Sequence, residues 1–308
     1  MGSGKARAFL FVGALLALTL VVTAASPELR WRASVLRLKL AGELPHVSGA
    51  ELLEKLTKRA DEPYLNFQTG LRGLVADDVR LQRFDAEDPC PALWSTPFGS
   101  TWGRLSDDLV LEVFLFEQNV KNVYQNEAVQ VSPGDVVFDV GGHLGTFTQA
   151  ALGAGAARVV VLEPEPVNAH CLQKTFAEEI AAQRVVMVDA AAWDHPGTLR
   201  FGKPPKENSG MGRVDETGEL VVRAVTLDAI AAELDLDRVD FVKMDIEGAE
   251  PQALLGARAV LRRFKPKLAL AAYHGDHEFE DVASVIHALR PDYQNLSDPD
   301  HHNFAYYR

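Results

Sequence analysis

An α/β domain built on an open, mostly parallel sheet is the fold class this sequence predicts. Two short apolar runs, Val136 to Val140 and Val159 to Leu162, flank a helical pattern. A glycine pair, Gly141 and Gly145, punctuates the junction after the first run. Further apolar runs then alternate with helical stretches to the end of the chain. Strand, glycine loop, helix, strand is the opening unit of such a sheet. Ligands bind there at the carboxyl ends of the strands, where Asp139, Gly141, Gly145 and Glu163 gather.

Composition bounds the rest. The chain has 308 residues, is 47% hydrophobic and carries a formal net charge of -12. That length buries a full core and leaves room for an extension. The acidic balance excludes nucleic acid as the main partner, because phosphate binding needs a basic surface. Cys90 and Cys171 make neither a disulfide framework nor a metal cluster, which sets a reducing compartment as the default. Three segments follow: 1–25, an anchor or signal peptide; 26–130, a helical and irregular extension; and 131–308, the α/β domain.

In chain order, Ala8 to Ala25 is apolar and uncharged, and at about 1.5 Å per residue it just reaches across a hydrocarbon core of roughly 30 Å. Thr23-Ala24-Ala25 resembles a processing site, but the run exceeds a usual signal core, which favours a retained single-pass anchor. Arg30, Arg32, Arg37 and Lys39 follow the run and Lys5 and Arg7 precede it, so the catalytic domain is expected on the cytoplasmic side of the membrane. Ser48 and Glu51 form a capping box for a helix to about Arg59. Asp61 to Thr101 has no clear period, and its Trp94 and Phe98, with Trp102, read as packing or as a pocket wall. Ser106-Asp107-Asp108 caps a helix toward Tyr124.

Beyond Glu163, Asn168 to Ala182 reads as a helix and Arg184 to Ala190 as a third strand. Gly202 to Gly218 is a long polar loop, either a lid or a solvated excursion. Val221 to Leu227 reads as a strand, Asp228 to Leu234 as a short helix, and Val239 to Met244 as a buried strand stopping at Asp245. Glu250-Pro251 opens a helix to about Phe264, with Pro251 suited to a first helical position. Leu268 to Tyr273 is the next strand, ending at His274-Gly275. A helix over Glu278 to Arg290 and a hairpin pairing Tyr293 to Leu296 with Phe304 to Tyr307 close the chain.

The glycine loop carries the first functional signal. Gly141 permits a tight turn and Gly145 a close helix start, while freed amides offer donors to an anionic group. Glu163, about twenty residues on, can accept both hydroxyls of a ribose. A dinucleotide site wants G-x-G-x-x-G, yet His143 stands where the second glycine belongs. This disfavours a nicotinamide oxidoreductase. Asp139-x-Gly141-x-x-x-Gly145 is the pattern of enzymes that use S-adenosyl-L-methionine.

On VVFDVGGHLGTFT, VLEPEPVN, VTLD at Val225 to Asp228 and KMDIEGAEPQALLGA from Lys243 to Ala257, the chain from about Val131 onward resembles the FkbM family of S-adenosylmethionine-dependent methyltransferases. The resemblance implies a Rossmann-like, seven-stranded class I methyltransferase sheet with helices on both faces and an antiparallel last strand. It also implies O-methylation of a hydroxyl on a sugar, glycolipid or other small molecule. Gly142-His143 departs from the Ala-Asn common in the family, and on that departure a non-catalytic membrane-attached binding module is the alternative.

The cofactor set expected from this reading is Asp139, Gly141, Gly142, His143, Gly145, Glu163, Asp189, Ala190 and Asp245, with Asp189-Ala190 bordering adenine and Asp245 near the sulfonium. A hydroxyl acceptor must lose its proton, and His274 is the first candidate base, with Asp245 and Glu247 as alternatives. These three can also hold a divalent metal. No close His pair or cysteine set supports it, so metal-free catalysis is expected.

Overall fold

In the computed structural model the described residues are 79–96, 98–104, 107, 111, 123–204, 209–297 and 304–308. The apolar run Ala8 to Ala25, the Ser48 capping box and most of the helix expected toward Tyr124 lie outside them. Among the described residues no helix is long and apolar enough to cross a membrane.

The central sheet is built from β4 (Val136–Val140), β5 (Arg158–Leu162), β6 (Val185–Val188), β11 (Phe241–Met244), β12 (Lys267–Ala271) and β13 (Phe304–Tyr307). Its order is β13-β12-β11-β4-β5-β6, parallel except for β13, which runs antiparallel to β12. Strands β4, β5, β11 and β12 are buried on both faces, which is why they read as continuous apolar runs rather than alternating ones. The chain runs outward from β4 through β5 to β6 and later places β11 on the other side of β4, and the cleft opens beyond the carboxyl ends at that switch between β4 and β11. The sheet has six strands among the described residues where seven were expected. The segment expected to pair with β13 contributes one bridge, Asn295 to Tyr307, rather than a strand.

Helices α1 (Thr146–Gly153), α2 (Pro166–Thr175), α3 (Ala177–Ala181), α4 (Leu227–Glu233), α5 (Glu250–Leu255), α6 (Arg258–Phe264) and α7 (Glu278–Leu289) pack around this sheet. Two expected helices are each broken. The first divides at Phe176. The second divides at Gly256-Ala257, where the backbone of Gly256 passes so close to Trp193 that an added Cβ would lie 2.0 Å from its carbonyl oxygen.

Two features differ from the sequence expectation. The third strand stops at Val188, and β7 (Ala191–Ala192) joins a separate four-stranded sheet with β8 (Gly197–Gly202), β9 (Arg213–Val214) and β10 (Leu220–Val225), in the order β7-β10-β8-β9. Part of the aperiodic Asp61–Thr101 stretch forms an antiparallel meander, β1 (Arg80–Phe84), β2 (Ala92–Thr96) and β3 (Gly99–Gly103). Cys90, in the loop after β1, is joined by a disulfide to Cys171 on α2, a single bridge where the two cysteines were expected to make neither a disulfide framework nor a metal cluster. The meander is also held to α2 by the Trp102 amide donating to Thr175 Oγ1 at 2.8 Å and by Lys174 Nζ lying 3.4 Å from the Trp102 ring centroid.

Candidate active site

Two adjoining cavities open at the carboxyl ends of β4, β5 and β11. The larger, of ≈ 570 Å³, is walled by Gly141, Glu163, Ala190, Phe201, Ser209 and Glu247, among others. The smaller, of ≈ 420 Å³, lies against Tyr124, Gly142, Phe147 and Tyr273. His143, Asp245 and Glu247 border both. The two spaces therefore meet at carboxylates.

The glycine loop is shaped by close contact. Gly141 has φ 85°, and a Cβ there would lie 2.1 Å from the carbonyl oxygen of Asp245. Gly145, φ 77°, precedes α1, and a Cβ on it would strike the Phe176 ring at 2.5 Å. His143 and Glu247 take positive φ values of 48° and 59° without being glycine. Such conformations cost of order 1 kcal/mol or more and persist where surrounding contacts impose them. Both residues stand on the cavity rim.

Glu163 is 5% exposed and lies at the end of β5 on the same cavity as Gly141. One carboxylate oxygen accepts the His143 amide at 2.9 Å and the other the Glu165 amide at 3.0 Å. Burial nevertheless pushes its carboxyl up to about 7. His143 is pushed the other way, down to about 3, by burial and by the cations Lys243 and Arg104, so its imidazole is neutral. Its Nε2 shares a hydrogen bond of 2.6 Å with Ser209 Oγ, and Asn168 Nδ2 donates to Ser209 O at 3.0 Å. Ser209 thus ties the long polar excursion between β8 and β9 to the cavity wall, although residues 205–208 of that loop lie outside the described residues.

Two expected cofactor residues do not face the cavities. Asp139 is fully buried; its Oδ2 accepts Thr148 Oγ1 at 2.6 Å, and Lys243 Nζ lies 3.0 Å from its Oδ1. The same ammonium donates to Gly141 O at 2.5 Å. Asp139 therefore neutralises Lys243 beneath the loop, and Lys243 holds the loop's carbonyl. Asp189 is exposed and accepts Gln173 Nε2 at 3.0 Å, while its neighbour Ala190 lines the larger cavity. Alternation at the strand end turns the polar side chain out and the small one in.

The third corner is acidic. The Tyr124 hydroxyl donates to Asp245 Oδ2. His274 follows β12 with a side chain only 9% exposed, behind Asp245 and Glu247 rather than on either cavity. Glu250 is fully buried and caps the preceding turn, accepting the Ile246 amide at 2.8 Å and the Gly248 amide at 3.0 Å. Burial and the adjacent Glu278 hold its carboxyl well above the usual range. Burial works against charge on His274, but Glu278, Asp245, Glu250 and Glu247 outweigh it and push the imidazole up to about 9. Burial pushes Glu247 up to about 7, with His274 opposing, and Glu247 borders both cavities.

Several wall residues escaped the sequence reading. Asn168 and Glu165 had a local signal: Glu165 caps α2 by accepting the Asn168 amide at 2.8 Å, with Pro166 at the first helical position. Arg104, whose guanidinium binds Glu165 at 2.6 Å, and Tyr124 reach the site from distant segments and had none.

The family model described as Methyltransferase FkbM domain matches residues 139–303. Hexuronic acid methyltransferase AglP of Haloferax volcanii is 24% identical over 170 residues, covering 55% of this chain and 67% of that protein. AMB antimetabolite synthetase AmbE of Pseudomonas aeruginosa is 26% identical over a region covering 44% of this chain and 8% of the synthetase. Among solved structures, methyltransferase FkbM from Methylobacillus flagellatus is similar at a TM-score of 0.46 and 23% identity, over 65% of this chain and 52% of that one. The chain thus spans about half of that structure and a small part of the synthetase.

Proposed function

Because the chain belongs to the FkbM methyltransferase family, we propose that it uses S-adenosyl-L-methionine to methylate a hydroxyl on a sugar, glycolipid or other small molecule, with 131–308 as the catalytic domain. The observation that carries this reading is Glu163: a buried carboxylate, pinned by two amides, facing the same cavity as the glycine turn. A ribose fits that wall, since each oxygen keeps a lone pair for a hydroxyl donor. The cofactor supplies a methyl carbon activated by a sulfonium, which passes to the acceptor oxygen as the carbon–sulfur bond breaks to a neutral thioether.

The chain's residues then have separable tasks. Glu163 accepts the ribose hydroxyls, and Ala190 offers an apolar border for adenine. Gly141, Gly142, His143 and Gly145 frame the methionine part. Asp139 acts through Lys243 on the loop. Asp245, held by Tyr124, faces the sulfonium charge where the two cavities meet. Glu247, ionising near neutrality, takes the hydroxyl proton, and His274 positions both carboxylates from behind. Alignment is the main requirement of an in-line displacement, and rigid walls provide it. The likeness to a hexuronic acid methyltransferase supports a sugar acceptor.

Ala8 to Ala25 is proposed to anchor the chain in a single pass. The flanking basic residues support a cytoplasmic catalytic domain, whereas the Cys90–Cys171 bridge is chemistry of an oxidising compartment.

Calorimetry with S-adenosylmethionine tests the reading. The full chain is expected to bind it, and Glu163→Ala to weaken binding at least tenfold, the loss expected for charge-assisted hydrogen bonds. Absence of any binding heat in the unmutated protein overturns it.

A further inference from the structure

Asp245, Glu247 and His274 bring one oxygen, one oxygen and one nitrogen toward a common point at the cavity rim. His274 Nε2 lies 3.5 Å from Asp245 Oδ1 and 3.7 Å from Glu247 Oε1. These separations are too long for hydrogen bonds between a ring nitrogen and a carboxylate. They approach the spacing of neighbouring ligand atoms around one small cation, about 3–3.4 Å for bonds of about 2.1 Å.

The imidazole is the independent sign of a ligand. Its side chain is 9% exposed, and among the described residues neither ring nitrogen has a hydrogen-bond partner; Asp245 Oδ1 is likewise buried without one among them. Buried polar atoms ordinarily find partners, and leaving one unmade costs about 1–3 kcal/mol.

The surroundings sort the two ends of the ring. Nδ1 faces Glu278 Oε2 at 3.6 Å and Glu250 Oε1 at 4.0 Å, on the buried side. Those two carboxylates are already fixed: Glu278 Oε2 accepts the His274 amide at 2.6 Å, and Glu250 accepts two turn amides. An ion entering there displaces the Nε2 proton to water; the proton kept on Nδ1 then faces Glu278 and Glu250, the arrangement by which a carboxylate orients a metal-binding histidine. Tyr124 does the same for Asp245, engaging Oδ2 and leaving Oδ1 for an ion.

We propose that Asp245, Glu247 and His274 bind one divalent cation, of the Mg²⁺, Mn²⁺ or Zn²⁺ class, with its remaining positions open to the acceptor hydroxyl. Two carboxylates and an imidazole suit these ions, and three protein ligands leave room for an exogenous oxygen. For what the ion holds, the proposal rests on the methyl-transfer reading. Coordination there lowers the pKa of the hydroxyl. Its proton passes to the non-ligating oxygen of Glu247 and on to water, and the acceptor oxygen keeps its electron pair for the new carbon–oxygen bond.

The test is a Mn²⁺ titration of the full chain followed by electron paramagnetic resonance, with S-adenosylmethionine calorimetry on the same preparation. One Mn²⁺ per chain is expected, weakened at least tenfold in His274→Gln, while that variant keeps its cofactor affinity within about twofold. Glu247→Gln, on the rim, gives the same loss and serves if His274→Gln does not fold. Cofactor binding without any uptake of Mn²⁺, Mg²⁺ or Zn²⁺ at millimolar concentration overturns the metal site and leaves the methyltransferase reading standing. Unchanged Mn²⁺ binding in both variants overturns the assignment of these ligands. Failure of the unmutated chain to bind either metal or cofactor overturns both readings.

Discussion

Glu163 combines two tasks that oppose each other. Its place at the end of β5 gives it a ribose-facing carboxylate, and the same burial raises its carboxyl to about 7. A carboxyl raised above its ordinary range in the folded chain lends stability that is present at low pH and is lost as pH climbs toward about 7. Cofactor binding has the opposite sign, because ribose hydroxyls donate to the ionised form. Affinity is therefore expected to fall by up to about tenfold per unit as pH drops below about 7, and to level off above it. Calorimetry from pH 5.5 to 8.5 measures this, and Glu163→Gln is expected to flatten the profile. Any slope left in that variant belongs to Glu247, which borders the same cavity and is also pushed up to about 7. Glu163 was legible because its place is set by strand length and by distance from the glycine turn. Asp139 could be read as holding either the loop or the cofactor, and the structure joins it to the loop through Lys243. An acid at a strand end looks like a ligand until a lysine from β11, with no local signal in common, arrives beneath it.

At the scale of elements, β4, the glycine turn, α1 and β5 could be read from local pattern because buried parallel strands leave continuous apolar runs. Of the four-stranded sheet of β7 to β10, only β10 could, as the run Val221 to Leu227. Its β8 alternates weakly and is largely exposed, and β9 has two residues, so pairing rather than sequence pattern defines them. The meander was hidden likewise among prolines and acids. What these insertions add is a wall: Phe201 of β8 and Ser209 line the larger cavity together with Glu163. The turn after β4 is its most constrained part. Gly141→Ala needs a left-handed backbone and places a methyl 2.1 Å from the Asp245 carbonyl oxygen, so β4 and β11 must separate. A destabilisation of more than about 2 kcal/mol is expected in denaturant unfolding, together with loss of cofactor binding. Gly134→Ala, also at positive φ but with nothing within 4 Å, serves as the control and is expected to lose only the conformational part, about 1 kcal/mol, with binding retained.

Across the whole molecule, the Cys90–Cys171 bridge bears on both stability and compartment. The cysteines are 81 residues apart, and no spacing rule pairs them; only the packing of the meander on α2 brings their Cα atoms to 5.4 Å. Their neighbourhood is already well connected. Lys174 reaches Asp88 Oδ2 at 2.8 Å and Cys90 O at 2.9 Å, and that lysine holds the Asp88 carboxyl down to about 2. The bridge adds closure of a long loop, which a chain-entropy estimate puts at about 4.5 kcal/mol. It also braces the segment from which Arg104 grips Glu165 and Asn168 at the cavity wall. Replacing both cysteines by alanine is thus expected to lower the melting temperature by roughly 10 °C, with a smaller loss of cofactor affinity as Arg104 is released. The compartment follows from the same pair. Whole cells quenched in acid, denatured and treated with a maleimide mass tag report the thiols as they stood in life. A catalytic domain in an oxidising space takes no tag until a reductant is added and two afterwards, whereas one in the reducing cytoplasm takes two from the start. The first outcome overrides the orientation drawn from Arg30, Arg32, Arg37 and Lys39 and requires that the cofactor be delivered across the membrane; the second retains that orientation and makes the bridge a contact that forms only on oxidation.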